Sequence, residues 1–153
     1  MVKYNIKKQE RNKKMRKILF SILLIILILT SCGKSEGEIK MIKNKDGYIE
    51  ITQDMAKEIM DTEKDILIVD VREEDEYAES HIKGAMLLPL SVLKSADAEK
   101  ASEEVIPDKS AKALVYCRSG RRSKEASKIL ADLGYSNIYE FGGILTWQYE
   151  IEK

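Results

Sequence analysis

Short apolar runs alternate, after residue 46, with segments whose apolar residues return every third or fourth position. Residues 47–52 read as a strand behind an Asp-Gly turn, with Tyr48, Ile49 and Ile51 in it. A helix follows, capped by Thr52 or Asp54 and carrying Met55, Ile59 and Met60 on one face. Ile66–Val69 is a continuous apolar strand that ends on Asp70-Val71-Arg72, and 73–79 is a short acidic helix. A third strand spans 86–90 and ends at Pro89. Ser91 caps a turn of helix through Leu93, and the Ala-, Glu- and Lys-rich stretch to Pro107 is helical in part with a break near Asp97. Ala113–Tyr116 is a fourth, fully apolar strand. Ser123–Leu133 has helical spacing at Ala126, Ile129, Leu130 and Leu133, and Gly134 supplies its left-handed C-terminal residue. Ile138–Phe141 is the last strand, and Gly142-Gly143 turns into a final helix bearing Leu145, Trp147 and Tyr149.

Strands separated by helices, and strands apolar on both faces, imply an α/β fold with a central parallel sheet and helices on both faces. In such sheets the C-terminal strand ends border the ligand crevice. Asp70, Arg72 and the residues after Tyr116 therefore share one edge.

That edge carries the chemistry. Cys117-Arg118-Ser119-Gly120-Arg121-Arg122-Ser123 puts a thiol, three guanidiniums, two hydroxyls and a glycine between a strand and a helix. Unpaired N–H groups and the positive end of the helix dipole converge there, and this favours an anion. The nucleophilic form of a cysteine is the thiolate, so Cys117 is predicted to be a nucleophile. Arg118, Ser119, Gly120, Arg121, Arg122 and Ser123 are the candidate substrate-binding residues. The competing reading makes Cys117 a small buried hydrophobe. Surrounding an inert thiol with three arginines would be costly.

Cys-Arg-Ser-Gly-Arg-Arg-Ser after an apolar strand resembles the active loop of the rhodanese-like sulfurtransferases. Asp70-Val71-Arg72, Glu76-Tyr77, His81-Ile82, Gly84-Ala85, Pro89, Gly142-Gly143 and Trp147 follow in that family's order. The resemblance spans 46–153. It implies the rhodanese fold and transfer of a sulfane sulfur, from thiosulfate or a similar donor, to a thiol or cyanide through a Cys117 persulfide. It implies structural roles near the site for Asp70, Arg72 and His81, the sole histidine, and neither metal nor organic cofactor. A zinc site also lacks ligands, with one His and no spare Cys. The chain departs from the commoner pattern at Ser80, where glycine is usual, and at Met86-Leu87-Leu88, where asparagine follows Gly-Ala. A cysteine-based phosphatase or arsenate reductase is the nearest alternative enzyme, but its Cys-x5-Arg loop requires arginine where this chain has Ser123. A sulfur-carrier, partner-binding or redox module is the alternative from another class.

Charge changes the picture only at the N-terminus. The chain has 26 basic and 26 acidic residues, yet the first 17 carry a net +7 and the remainder a net −7. Residues 18–29 are apolar except Ser21, so 1–31 has the layout of a signal peptide. Leu29-Thr30-Ser31-Cys32 resembles a bacterial lipobox, which implies cleavage before Cys32, its lipidation with a palmitate-type chain, and an anchor on the extracytoplasmic face of the cell membrane. Met15 is a second candidate start. Residues 32–45 read as a polar tether with an r.m.s. span of about 20 Å, leading to a domain over 46–153. The expected partners are a small sulfur-donor anion, a thiol acceptor that could be a protein, and the membrane through the lipid. Net negative charge after the leader argues against nucleic acid.

Overall fold

The computed structural model describes residues 43–153. The expected signal peptide, Cys32 and the tether up to residue 42 lie outside the described residues. The elements are β1 (Ile49–Glu50), α1 (Gln53–Thr62), β2 (Ile66–Asp70), α2 (Glu74–Glu79), β3 (His81–Ile82), β4 (Ala85–Leu87), α3 (Leu90–Leu93), α4 (Ala98–Val105), β5 (Lys112–Cys117), α5 (Arg121–Asp132), β6 (Asn137–Gly143), a 3-10 turn (Ile144–Thr146) and β7 (Ile151–Glu152). Five strands form one parallel sheet in the order β1-β6-β5-β2-β4. Of the three interior strands, β5 and β2 are the continuous apolar runs, as burial on both faces requires.

The helices cover both faces. Val69, Ala113, Val115 and Ile138 pack with Leu93 of α3, Ile106 after α4, and Ala126 and Leu130 of α5. Ile68, Leu114, Tyr116, Tyr139 and Phe141 pack on the other face with Ala56 and Ile59 of α1, and with Tyr77 of α2. Thr52 caps α1 by accepting the Met55 N–H at 3.2 Å. Asn44 closes the turn before β1, its side chain accepting from the N–H groups of Asp46 and Tyr48.

Several expected elements differ, and β6 runs on through Gly142-Gly143, where a turn was expected. The first strand is only two residues long. The third ends at Leu87, because Pro89 lacks an N–H for a ladder and starts α3 instead. The expected final helix is a single 3-10 turn, followed by extended chain and by β7, which pairs antiparallel with β3 (His81 opposite Glu152, Ile82 opposite Ile151). Of the apolar residues expected on that helix, Trp147 packs on the core beside Phe141, whereas Leu145, inside the 3-10 turn, faces solvent at 65% exposure.

Asp70 and Arg72 sit at the C-terminal end of β2, both buried. Arg72 Nε donates to both Asp70 oxygens at 3.0 and 2.9 Å, and an NH2 hydrogen reaches Oδ2 at 2.6 Å. The same guanidinium donates to the Ser80 carbonyl at 2.6 Å, which fixes the chain between α2 and β3. Burial works against the charge on Arg72, but its bonds to Asp70 more than offset this and hold it above its ordinary range. Asp70→Asn is expected to strand a buried guanidinium and to cost about 3–5 kcal/mol, measured by denaturant unfolding. A loss below about 1 kcal/mol would sink this account.

Candidate active site

Cys117 is the last residue of β5, and only Arg118-Ser119-Gly120 separates it from α5. Helix α5 begins at Arg121, two residues before the expected start, so Arg121, Arg122 and Ser123 form its first turn. Gly120 is the N-cap residue with φ +96°, a left-handed conformation that a side chain would disfavour. The turn aims its N–H at the thiol, and Gly120 N–H donates to Cys117 Sγ at 3.1 Å. Cys117 is 1% exposed and packs on the face covered by α5. The arrangement can stabilise negative charge on sulfur through a backbone donor at a helix N-terminus.

The three arginines have different fates. Arg122 turns towards α2 and grips Glu76 in a two-bond fork of 2.5 and 2.8 Å. The fork pulls the Glu76 carboxyl below its ordinary range despite partial burial, and Glu76 in turn favours the charged form of Arg122. Arg118 and Arg121 are exposed and have no carboxylate partner among the described residues. Ser119 is exposed as well, whereas Ser123 is fully buried. The Ser123 hydroxyl lies 2.6 Å from Glu140 Oε1 and 2.9 Å from the Gly120 carbonyl, so it joins the loop to β6 instead of lining the rim.

Strand β6 supports the loop from below. Between the pairs Val115–Glu140 and Cys117–Gly143 it carries one extra residue, a bulge at Gly142 that puts Gly143 opposite the thiol residue. Gly143 then lies under the loop so tightly that a Cβ there would stand 2.2 Å from the Arg118 carbonyl oxygen and 2.5 Å from Ser119 Cα. Gln53, at the start of α1, donates to the Gly143 carbonyl at 2.7 Å, and Leu145 N–H donates to the Arg118 carbonyl at 3.2 Å.

With this geometry in view, the rhodanese-like domain family model matches residues 52–150. The chain belongs to that family. Thiosulfate sulfurtransferase PspE of Escherichia coli strain K12 is 36% identical over 76 residues, 50% of this chain and 68% of the relative. The thiosulfate:glutathione sulfurtransferase of Saccharomyces cerevisiae is 28% identical over 122 residues, covering 76% and 86%. Among solved structures, a rhodanese with anions from E. coli aligns with a TM-score of 0.51 at 30% identity, covering 57% of this chain and 98% of that one. The protein is a rhodanese-type sulfurtransferase, on the central parallel sheet expected for it.

His81 of this rhodanese domain stands apart from the loop. It stacks on Tyr77 with ring centres 3.9 Å apart, its Nδ1 is 3.0 Å from the Tyr77 carbonyl, and its Nε2 is 3.5 Å from Glu152. It joins α2 to the β3–β7 pair. Asp70 and Arg72 share the loop's edge of the sheet but are spent on each other. Two groups were missed as site residues, Glu76 and Glu140. The signal for Glu140 was an acid inside the otherwise apolar strand Ile138–Phe141; nothing in the spacing joined Glu76 to Arg122 across 46 residues.

Gly143→Ala is expected to push the loop off β6, lowering stability by about 1–3 kcal/mol and lowering sulfur transfer with it. Thermal melting and a turnover assay on the same sample check this. Unchanged values in both would show that the loop tolerates the displacement.

Proposed function

We propose that the domain transfers a sulfane sulfur through a persulfide on Cys117. The observation that carries the reading is the 3.1 Å bond from Gly120 N–H to Sγ at the N-terminus of α5, in a chain of the rhodanese-like family. The Cys117 thiolate attacks the outer sulfur of thiosulfate or a similar donor. A new S–S bond forms, the donor's S–S bond breaks, and sulfite leaves with the electron pair. An acceptor thiolate, or cyanide, then attacks the outer sulfur of the protonated persulfide, and Cys117 departs as thiolate. The names of the E. coli and yeast relatives support thiosulfate as donor, and that of the yeast relative a thiol as acceptor.

The backbone donor stabilises charge on Sγ while it is attacker and leaving group. Exposed Arg118 and Arg121 supply the attraction for a dianionic donor. Arg122 serves differently, by locking the first turn of α5 to α2 through Glu76.

For the full chain we further propose a lipid anchor at Cys32 on the extracytoplasmic face of the membrane. The basic segment, the apolar run and Leu29-Thr30-Ser31-Cys32 support it. A single acyl chain anchors only marginally, so stable attachment needs more than one.

Two experiments test these readings. Reduced protein exposed to thiosulfate is expected to gain the mass of one sulfur atom, which added thiol or cyanide removes, while Cys117→Ser gains nothing; a gain in the variant would remove Cys117 from the mechanism. Expressed in bacteria fed a labelled fatty acid, the full chain is expected to take up the label at Cys32 and Cys32→Ser to take up none. Equal labelling of the two would refute the anchor.

A further inference from the structure

Glu140 is a buried carboxyl that the sulfur-transfer scheme does not use. It lies on β6, 3% exposed, directly behind the loop. Its Oε1 accepts the Gly142 N–H at 2.9 Å and sits 2.6 Å from Ser123 Oγ. Ser123 Oγ has two further oxygen neighbours, the carbonyls of Gly120 at 2.9 Å and Gly142 at 3.2 Å.

A hydroxyl carries one proton. If Glu140 were ionised, it would take that proton, and both carbonyls would face lone pairs on a buried Oγ. If Glu140 keeps its own proton, it donates to Ser123 Oγ, and Ser123 donates onward to Gly120. The second arrangement satisfies one more oxygen with the same atoms. The Gly120 carbonyl also receives the Lys124 N–H at 3.2 Å, which its two lone pairs allow.

We propose that Glu140 is a positioning residue held as the neutral acid, which clamps the active loop through Ser123 and so fixes the residue whose N–H points at the Cys117 sulfur. The inference rests on Cys117 being the reacting thiol. Burial is the main cause of a carboxyl held above its ordinary range here; the bonds from Ser123 and Gly142 oppose it without cancelling it. The charged or titratable neighbours are Lys124 on α5, Glu50 of β1 and Tyr48 beside it. Lys124 is itself bonded to Glu50 at 2.6 Å. A neutral Glu140 also keeps a buried negative charge away from a site that must stabilise anionic sulfur.

The test compares Glu140→Leu and Glu140→Gln with the parent, reading the rate and pH midpoint of Cys117 alkylation by iodoacetamide, which needs no sulfur transfer, beside turnover with thiosulfate. Glu140→Leu cannot donate to Ser123 and is expected to slow turnover about tenfold, the worth of one lost hydrogen bond, and to raise the alkylation midpoint. Glu140→Gln, neutral and a donor, is expected to restore most of both. A midpoint lower in Glu140→Gln than in the parent would mean that the native group is an anion, and would overturn the proposal. So would a Glu140→Leu protein indistinguishable from the parent.

Stability gives an independent readout. A carboxyl raised in the folded state contributes stability that is complete below its unfolded range and is lost as pH rises through its folded value. The denaturant midpoint of Glu140→Gln should therefore gain on the parent as pH rises above the ordinary glutamate range; a pH-independent difference would count against the neutral acid. Failure of thiosulfate to load the parent would instead refute the persulfide reading, and would leave the alkylation and stability comparisons standing as tests of Glu140.

Discussion

The backbone of Gly143 presses against the carbonyl of Arg118 and the Cα of Ser119 with no room for a side chain between them. This contact settles the height of the active loop above the sheet, and several features exist to make it. The bulge at Gly142 brings Gly143 level with Cys117. Gln53 holds the Gly143 carbonyl from α1, and Leu145 returns a backbone bond to Arg118. With the loop seated, Gly120 can turn left-handed and point its N–H at sulfur.

Around that contact, charge is paired where it is withdrawn from solvent and left bare at the surface. Asp70 and Arg72 are matched, buried, at one strand end, and Glu76 and Arg122, half-buried, between two helices. Arg118 and Arg121 remain at the surface beside the thiol. The division follows from elementary electrostatics, because unpaired buried charge would cost several kcal/mol, whereas a cation left unpaired at the surface keeps its attraction for anions.

The two halves of the sheet edge thus differ in role. The β2 end, through Arg72 and Ser80, fixes the chain that leads to His81 and the small β3–β7 pair. The β5 end carries the Cys117 thiol and the loop that leads into α5. Tyr116 links them: its ring lies near the Arg72 guanidinium, and its hydroxyl accepts the Ile82 N–H at 3.0 Å. This fully buried side chain thus touches both ends of the edge.

Local sequence determined much of this protein. The continuous apolar runs of β2 and β5 are clear signals of strands buried on both faces, and the abrupt polar run from Cys117 to Arg122 before helically spaced apolar residues marks a strand-to-helix loop without reference to anything distant. The same locality explains what could not be read. Arg122 looked like a rim cation until α2 supplied Glu76, and Ser123 looked like a ligand until β6 supplied Glu140. The tail looked helical because Leu145, Trp147 and Tyr149 are apolar; the partner strand β3, more than sixty residues earlier, made it extended. Periodicity and composition act through neighbours along the chain. The partner of a charge, the burial of a hydroxyl and the pairing of a two-residue strand depend on groups that only folding brings within a few ångströms.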